Sequence, residues 1–252
     1  MPEEGKYIYC IIGTGEARNF GPIGIGGRGD EVETIAYKDV GAVISNSPMT
    51  KYVISKENLM AHERVVEEVM RDYTILPTRF CTIAVNAEEI RRLLERRYVE
   101  LKHLLRDMDY KVELGVKALW RDMALIFQEI VDENEEIKRL KEGSARRPAR
   151  QTHAQRIAIG QMVQADLEAK KEREAEAILA PLKRLSVHYR LNRTIGDKML
   201  LNGAFLVDRG WEKEFDDQMD GLIATCGKRV KFMYVGPAPP YNFVNITLHP
   251  EE

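Results

Sequence analysis

The apolar residues of this chain fall into two rhythms. Over residues 110–119 (YKVELGVKAL) Val112, Leu114, Val116 and Ala118 alternate with Lys111, Glu113, Gly115 and Lys117. Period two predicts a strand with one face on a core and the other toward water. After Ser55 the spacing lengthens: Leu59, Val66, Val69, Met70 and Tyr73 recur at helical intervals, with Ser55 placed to cap. A second helical run opens at Asn86, with Glu89 set as in a capping box. Its stripe (Ile90, Leu93, Leu94, Tyr98, Leu101, Leu104, Leu105, Met108) predicts one long amphipathic helix. Further strands are expected at 6–12 (KYIYCII), 31–37 (EVETIAY), 40–46 (VGAVISN) and 78–85 (TRFCTIAV), with turns across the Gly-rich stretch 13–30.

These elements predict an N-terminal α+β domain over 1–109, in the order β-β-β-α-β-α. From residue 110 onward the pattern changes. A charged helical stretch covers 122–142, and Gly143, Ser144 and Pro148 break it, leaving RRPAR as a mobile tip. A capping box at Thr152 and Gln155 starts a helix running to about Ala180, polar nearly all round across EAKKEREAE. A strand near 186–193, a hairpin at Gly196-Asp197, a strand at 198–207, a helix at 211–226 and a strand at 229–235 complete the order. That order is β-α(α)-β-β-α-β, the split βαβ or ferredoxin-like arrangement. The fold class is therefore α+β: the first domain, plus a C-terminal ferredoxin-like domain over 110–252 carrying a long helical hairpin insertion (about 122–182) and a Pro-rich tail (236–252). Prolines hold the tail segment GPAPPYNFV extended.

Bulk properties narrow the chemistry. A chain of 252 residues with 44% hydrophobic and 31% charged residues suits two folded domains. The formal net charge of -2 supplies no global basic field for nucleic acid. Three cysteines (Cys10, Cys81, Cys226) form no disulfide framework or zinc spacing, and Cys10 and Cys81 read as buried reduced thiols in strands. The acidic start MPEEGKYIYCIIG is not a signal peptide, and no apolar run reaches the length that spans a bilayer, so a cytoplasmic location and no membrane are expected.

No motif commits the chain to catalysis. Gly24-Ile25-Gly26-Gly27-Arg28-Gly29 spells a dinucleotide fingerprint, but a strand rather than a helix follows it, so it reads as a loop. His62-Glu63 lacks the second histidine of a zinc motif, and His62 reads as a packed, hydrogen-bonded core residue. Glu113 and Lys117 share a strand face as a possible acid/base pair, with simple ion pairing as the plainer reading. KRVKFMYVG loosely echoes an RNA-binding strand, with a solvated sheet edge as the plainer reading. No catalytic, cofactor-binding or metal residues are expected, and no cofactor.

Five blocks, in order and spanning about 6 to 248, resemble gas vesicle proteins of the F/L type. They are YIYCII before a Gly-rich loop; Ala61-His62-Glu63-Arg64-Val65-Val66 followed by Ile75-Leu76-Pro77-Thr78-Arg79-Phe80; Glu113-Leu114-Gly115-Val116-Lys117; Asn202-Gly203-Ala204-Phe205-Leu206-Val207-Asp208-Arg209; and Gly236-Pro237-Ala238-Pro239-Pro240-Tyr241-Asn242-Phe243. The AFLVDR segment leans toward the F type. Cys81 departs from the family, which usually has glycine after Arg-Phe. The resemblance implies two α+β domains and an accessory, non-enzymatic role in gas vesicle assembly. It implies binding of the small hydrophobic shell protein, protection of that protein from aggregation during nucleation, contacts with other vesicle accessory proteins, and retention as a minor vesicle component. RNA binding or nucleotide binding by a ferredoxin-like domain is the alternative. Partner contact is expected first at Arg79, Phe80, Tyr241 and Phe243, against the competing reading that Phe80 and Phe243 serve only internal packing.

Overall fold

The computed structural model of the chain describes residues 4–145, 153–244 and 246. The RRPAR tip and the Thr152 cap lie outside the described residues. The chain forms two compact units. One runs through Leu114 and takes in Leu206–Arg209 and the chain from Gly236; the other comprises Gly115–Phe205 and Gly210–Val235. Both combine helices with a sheet, as an α+β reading requires.

The first unit is organised around β1 (Glu4–Ile12), which pairs antiparallel with β4 (Val40–Pro48) on one side and with β5 (Ile75–Pro77) and β6 (Ile83–Ala84) on the other. Outside β4 lie β3 (Val32–Tyr37) and then β2 (Asn19–Gly21). A strand in this central position is covered on both faces, which is why KYIYCII is an unbroken apolar run. Tyr7, Tyr9 and Ile12 face α1 (Lys56–Met70), whereas Ile8 and Ile11 face the opposite core. The register slips between Ile8 and Cys10, and the bulge turns Tyr9 and Cys10 to the same side.

The single long helix expected from residue 86 to 108 is two helices, α2 (Ala87–Arg96) and α3 (Tyr98–Met108). Arg97 between them has φ -101° and ψ 11°, and its guanidinium is held by Glu100 at 2.8 and 2.6 Å. The break is silent in the apolar spacing because both helices turn their stripes, Ile90, Leu93 and Leu94 then Leu101, Leu105 and Met108, to one core. Each fully buried aliphatic side chain contributes about 1.5–3 kcal/mol, so packing rather than helix continuity decides the geometry.

The strand expected over 78–85 is also absent as such. Only Ile75–Pro77 and Ile83–Ala84 pair with β1, and 78–82 form a loop. Thr78 keeps its backbone N–H on the Tyr9 carbonyl (3.0 Å), shares its hydroxyl hydrogen between the Ile8 and Tyr9 carbonyls at 2.7 and 2.9 Å, and bridges to Ile246. Cys81 then adopts φ 65°, a left-handed conformation that costs a side-chain residue about 1–2 kcal/mol. The half-buried thiol therefore belongs to a turn, where it accepts the Tyr52 N–H at 3.3 Å, while Cys10 is fully buried in β1. Cys81→Gly is expected to raise stability by roughly 0.5–1 kcal/mol, read as an upward shift of the urea midpoint. The weak N–H to sulfur bond offsets part of the relief.

Most of a second, four-stranded sheet, in the order β10-β7-β9-β8, belongs to the second unit. Its strands are β7 (Lys111–Trp120), β8 (His188–Leu191), β9 (Met199–Asp208) and β10 (Val230–Ala238). The helix expected over 122–142 is interrupted: α4 (Met123–Glu133) ends at Asn134, whose side chain accepts the Glu136 and Ile137 N–H groups and starts α5 (Glu135–Ala145). The next helix, α6 (His153–Arg184), continues past Ala180 and carries Pro181 in its last turn, held by buried Ile178, Leu179 and Leu182. It packs against both α4 and α5. A fourth helix of this unit, α7 (Glu212–Cys226), stacks Phe215 between Phe205 of β9 and Tyr234 of β10.

The polar band of α6 is not a bare solvated face. Lys170, 7% exposed, reaches Glu129 at 3.1 Å and Glu133 at 2.8 Å on α4. Arg229, just ahead of β10, forks onto both oxygens of Glu129 (2.6 and 2.7 Å) and both of Glu174 (3.1 and 2.8 Å). Glu174 also accepts the buried Trp120 indole N–H at 2.7 Å. One guanidinium thus ties α4, α6 and the start of β10 together.

Candidate functional site: an apolar groove beside Phe80

Helical spacing puts Leu59, His62 and Glu63 on one face of α1. That face forms one wall of a groove of about 320 Å³. The opposite wall is the 77–80 segment, and the tail residues Tyr241, Val244 and Ile246 close the end. Three of the four residues expected at a partner surface, Arg79, Phe80 and Tyr241, lie together on its lining. Phe243 does not; it packs on the core shared by Ile8, Leu76 and Leu94. Phe80 does two jobs, since it is half-buried against Tyr7 and His62 and also lines the groove.

The tail is held by a buried carboxylate. Glu113 is 7% exposed, and its oxygens accept the Asn242 backbone N–H at 2.8 Å and the Asn242 side-chain N–H at 2.5 Å. Glu113 is therefore an anchor for the Pro239–Val244 turn, not an acid/base partner of Lys117. The turn closes through Tyr241 N–H to Pro239 O (2.7 Å) and Val244 N–H to Pro240 O (3.0 Å). The expectation of an extended tail holds only as far as Ala238, the end of β10. Gly236 allows the close approach before that turn. Its φ is 140°, and a Cβ there would stand 2.9 Å from the Glu113 carbonyl oxygen.

His62 is packed as expected, but only half satisfied. It is 3% exposed, stacks on Tyr9 and meets Tyr7 and Phe80 edge-on. Its Nδ1 lies 3.0 Å from the Tyr7 hydroxyl. That hydroxyl oxygen already accepts the Cys81 N–H at 2.9 Å, so its own hydrogen is left for Nδ1. With no other acceptor for that hydrogen among the described residues, we assign the ring proton to Nε2, which is buried and has no hydrogen-bond partner among them. Burial pushes the imidazole pKa down to about 4, so the ring is neutral near pH 7. Apolar spacing placed His62 in the core; only the tertiary contacts show a donor left over.

Other candidate chemistry disperses. The Gly-rich loop has Gly26, Gly27 and Gly29 at positive φ and leads into β3, so no helix follows it as a dinucleotide fingerprint requires. Among the described residues no group of three or more His, Cys, Asp or Glu side chains could hold a metal ion, and no helix is long and apolar enough to cross a membrane.

Similar proteins share this fold. A gas vesicle protein F from a Streptomyces strain is 29% identical over 88% of this chain and 91% of its own length. A gas vesicle protein L from Streptomyces is 32% identical over 74% of this chain and 68% of its own. The crystal structure of the gas vesicle protein GvpF from Anabaena superposes with a TM-score of 0.86 at 24% identity, covering 97% of this chain and all (100%) of that one. The family described as gas vesicle synthesis protein GvpL/GvpF matches residues 5–245, which hold nearly all of both sheets and of the groove lining, and this chain belongs to that family.

Proposed function

We propose that this protein is a non-catalytic assembly factor of gas vesicles. It binds the small hydrophobic shell protein, limits its aggregation during nucleation, and stays as a minor component of the vesicle, acting from the cytoplasm. The observation that carries this reading is the match over nearly the full chain to proteins named for gas vesicles. The physical need is clear. A subunit that walls off gas exposes an apolar face and open strand edges before it assembles, and both drive aggregation. A partner prevents this by covering the face or pairing the edge. The groove of Leu59, Phe80 and Tyr241 offers apolar surface of that kind.

The same reading keeps a boundary near residue 110 and treats the second part as ferredoxin-like. The succession β7, α4 to α6, β8, β9, α7, β10 with sheet order β10-β7-β9-β8 supports it. Co-expression with the tagged shell subunit tests the function. The subunit is expected to remain in the supernatant and to co-elute with this chain. Equal aggregation with and without the chain, and no co-elution, would overturn the proposal.

A further inference from the structure

We infer that the groove between α1 and the 77–80 segment is a peptide-binding site. It takes an uncharged, extended segment of a partner polypeptide, seats one bulky apolar side chain against Leu59, Phe80 and Tyr241, and gives His62 Nε2–H a main-chain carbonyl to bond. This deepens the proposed function and rests on it for the partner's identity.

Three observations converge. The volume of about 320 Å³ is at the small end of ligand sites, enough for a side chain and its flanking peptide rather than a large cofactor. The unpartnered Nε2–H is a buried donor, and a buried donor without an acceptor is destabilising. Nδ1 is spent on Tyr7 and the residue lines the groove, so Nε2 is the ring nitrogen left for an occupant of the groove. A peptide carbonyl answers a neutral N–H donor, and the apolar walls select the residue beside it. The third observation is at the mouth. Leu59 on the groove wall is 37% exposed, and the segment leading into the same helix exposes two further apolar side chains, Val53 (75%) and Ile54 (78%). Glu63 and Arg79 bring opposite charges to the rim, so the rim favours neither sign of peptide.

Water does not reach Nε2 in the resting groove. The bound carbonyl therefore arrives with a displacement of Phe80 or Tyr241, the two aromatic rings that line the groove. Both are more exposed than the core rings Tyr7 and Tyr9. Binding is thus expected to shift the His62 ring resonances together with those of Tyr241.

The experiment uses the full chain, the intact shell subunit and overlapping synthetic peptides that tile its sequence. Leu59→Asp places a charge on the lip at an already exposed position, and its thermal midpoint reports that the fold is intact. For the wild type, apolar peptides are expected to bind and to move the Nε2–H signal in long-range imidazole spectra. Leu59→Asp is expected to weaken them at least about tenfold. Shell-subunit capture that is unchanged in Leu59→Asp, with no peptide moving the His62 signal, overturns the groove assignment and leaves the assembly role standing. No capture of the intact subunit, with Leu59-dependent binding of its apolar peptides, removes the assembly role and keeps the groove. A wild-type ring spectrum with the proton on Nδ1 overturns the assigned donor and with it the inference.

Discussion

Arg229→Met is expected to lower the unfolding free energy by about 2 kcal/mol. The guanidinium makes four hydrogen bonds to Glu129 and Glu174, with each carboxylate held at both oxygens. Removing it leaves two carboxylates beside each other, one of them also holding the Trp120 indole. A fully buried pair would cost about 3–5 kcal/mol when broken. Here the Arg229 and Glu129 side chains are 35% and 36% exposed, and water screens part of the loss. Urea unfolding checks the value, with Trp120 fluorescence as a local reporter. Arg229→Lys is expected to recover less than half, because a point charge cannot fork onto two carboxylates. A wild-type midpoint in either variant would show that the network is incidental to stability.

The second large effect is acid loss of stability through His62. Burial holds its folded pKa at about 4, below the ordinary 6.5. The unfolded chain therefore binds the extra proton first, and stability falls as pH drops from 6.5 toward 4. It is fully present above that window. A shift of this size is worth on the order of 3 kcal/mol. Glu129 titrates mostly lower: Arg229 holds its carboxyl down to about 2 from 4.5, so its contribution is full above 4.5 and is lost as pH falls from 4.5 through 2. His62→Gln keeps an acceptor for Tyr7 and carries no titrating ring. Its stability is expected to be flat between pH 6.5 and 4, apart from a shared baseline; a slope equal to wild type would assign the acid sensitivity elsewhere.

The same two residues show how far linear reading reaches. His62 falls within the helical apolar spacing of α1, so its burial was legible. Its missing partner was not, because Tyr7 and Cys81 approach it from 55 positions away and from the far side of the loop. Arg229 sits in a basic run that reads as a solvated edge, yet it meets Glu129 across 100 positions. Phe243 and Tyr241 are two residues apart in one tail and looked equivalent. The turn pinned by Glu113 sends one to the core and the other to the groove.

By itself the sequence determined what depends on local spacing and on short-range chemistry. It marked β1, β3, β4, β7 and the hairpin of β8 and β9, the caps at Ser55 and Asn86, the apolar stripe of α2 and α3, and the family blocks that point to gas vesicles. Local hydrogen bonds and burial periodicity are written in consecutive residues, so these features were readable. Tertiary structure alone decided the breaks at Arg97 and Asn134, the left-handed turn at Cys81, the charge clamp at Arg229 and the gathering of Arg79, Phe80 and Tyr241 around His62. Each of these depends on groups far apart in the chain, whose gains on meeting outweigh the local preference for a longer helix or a continuous strand.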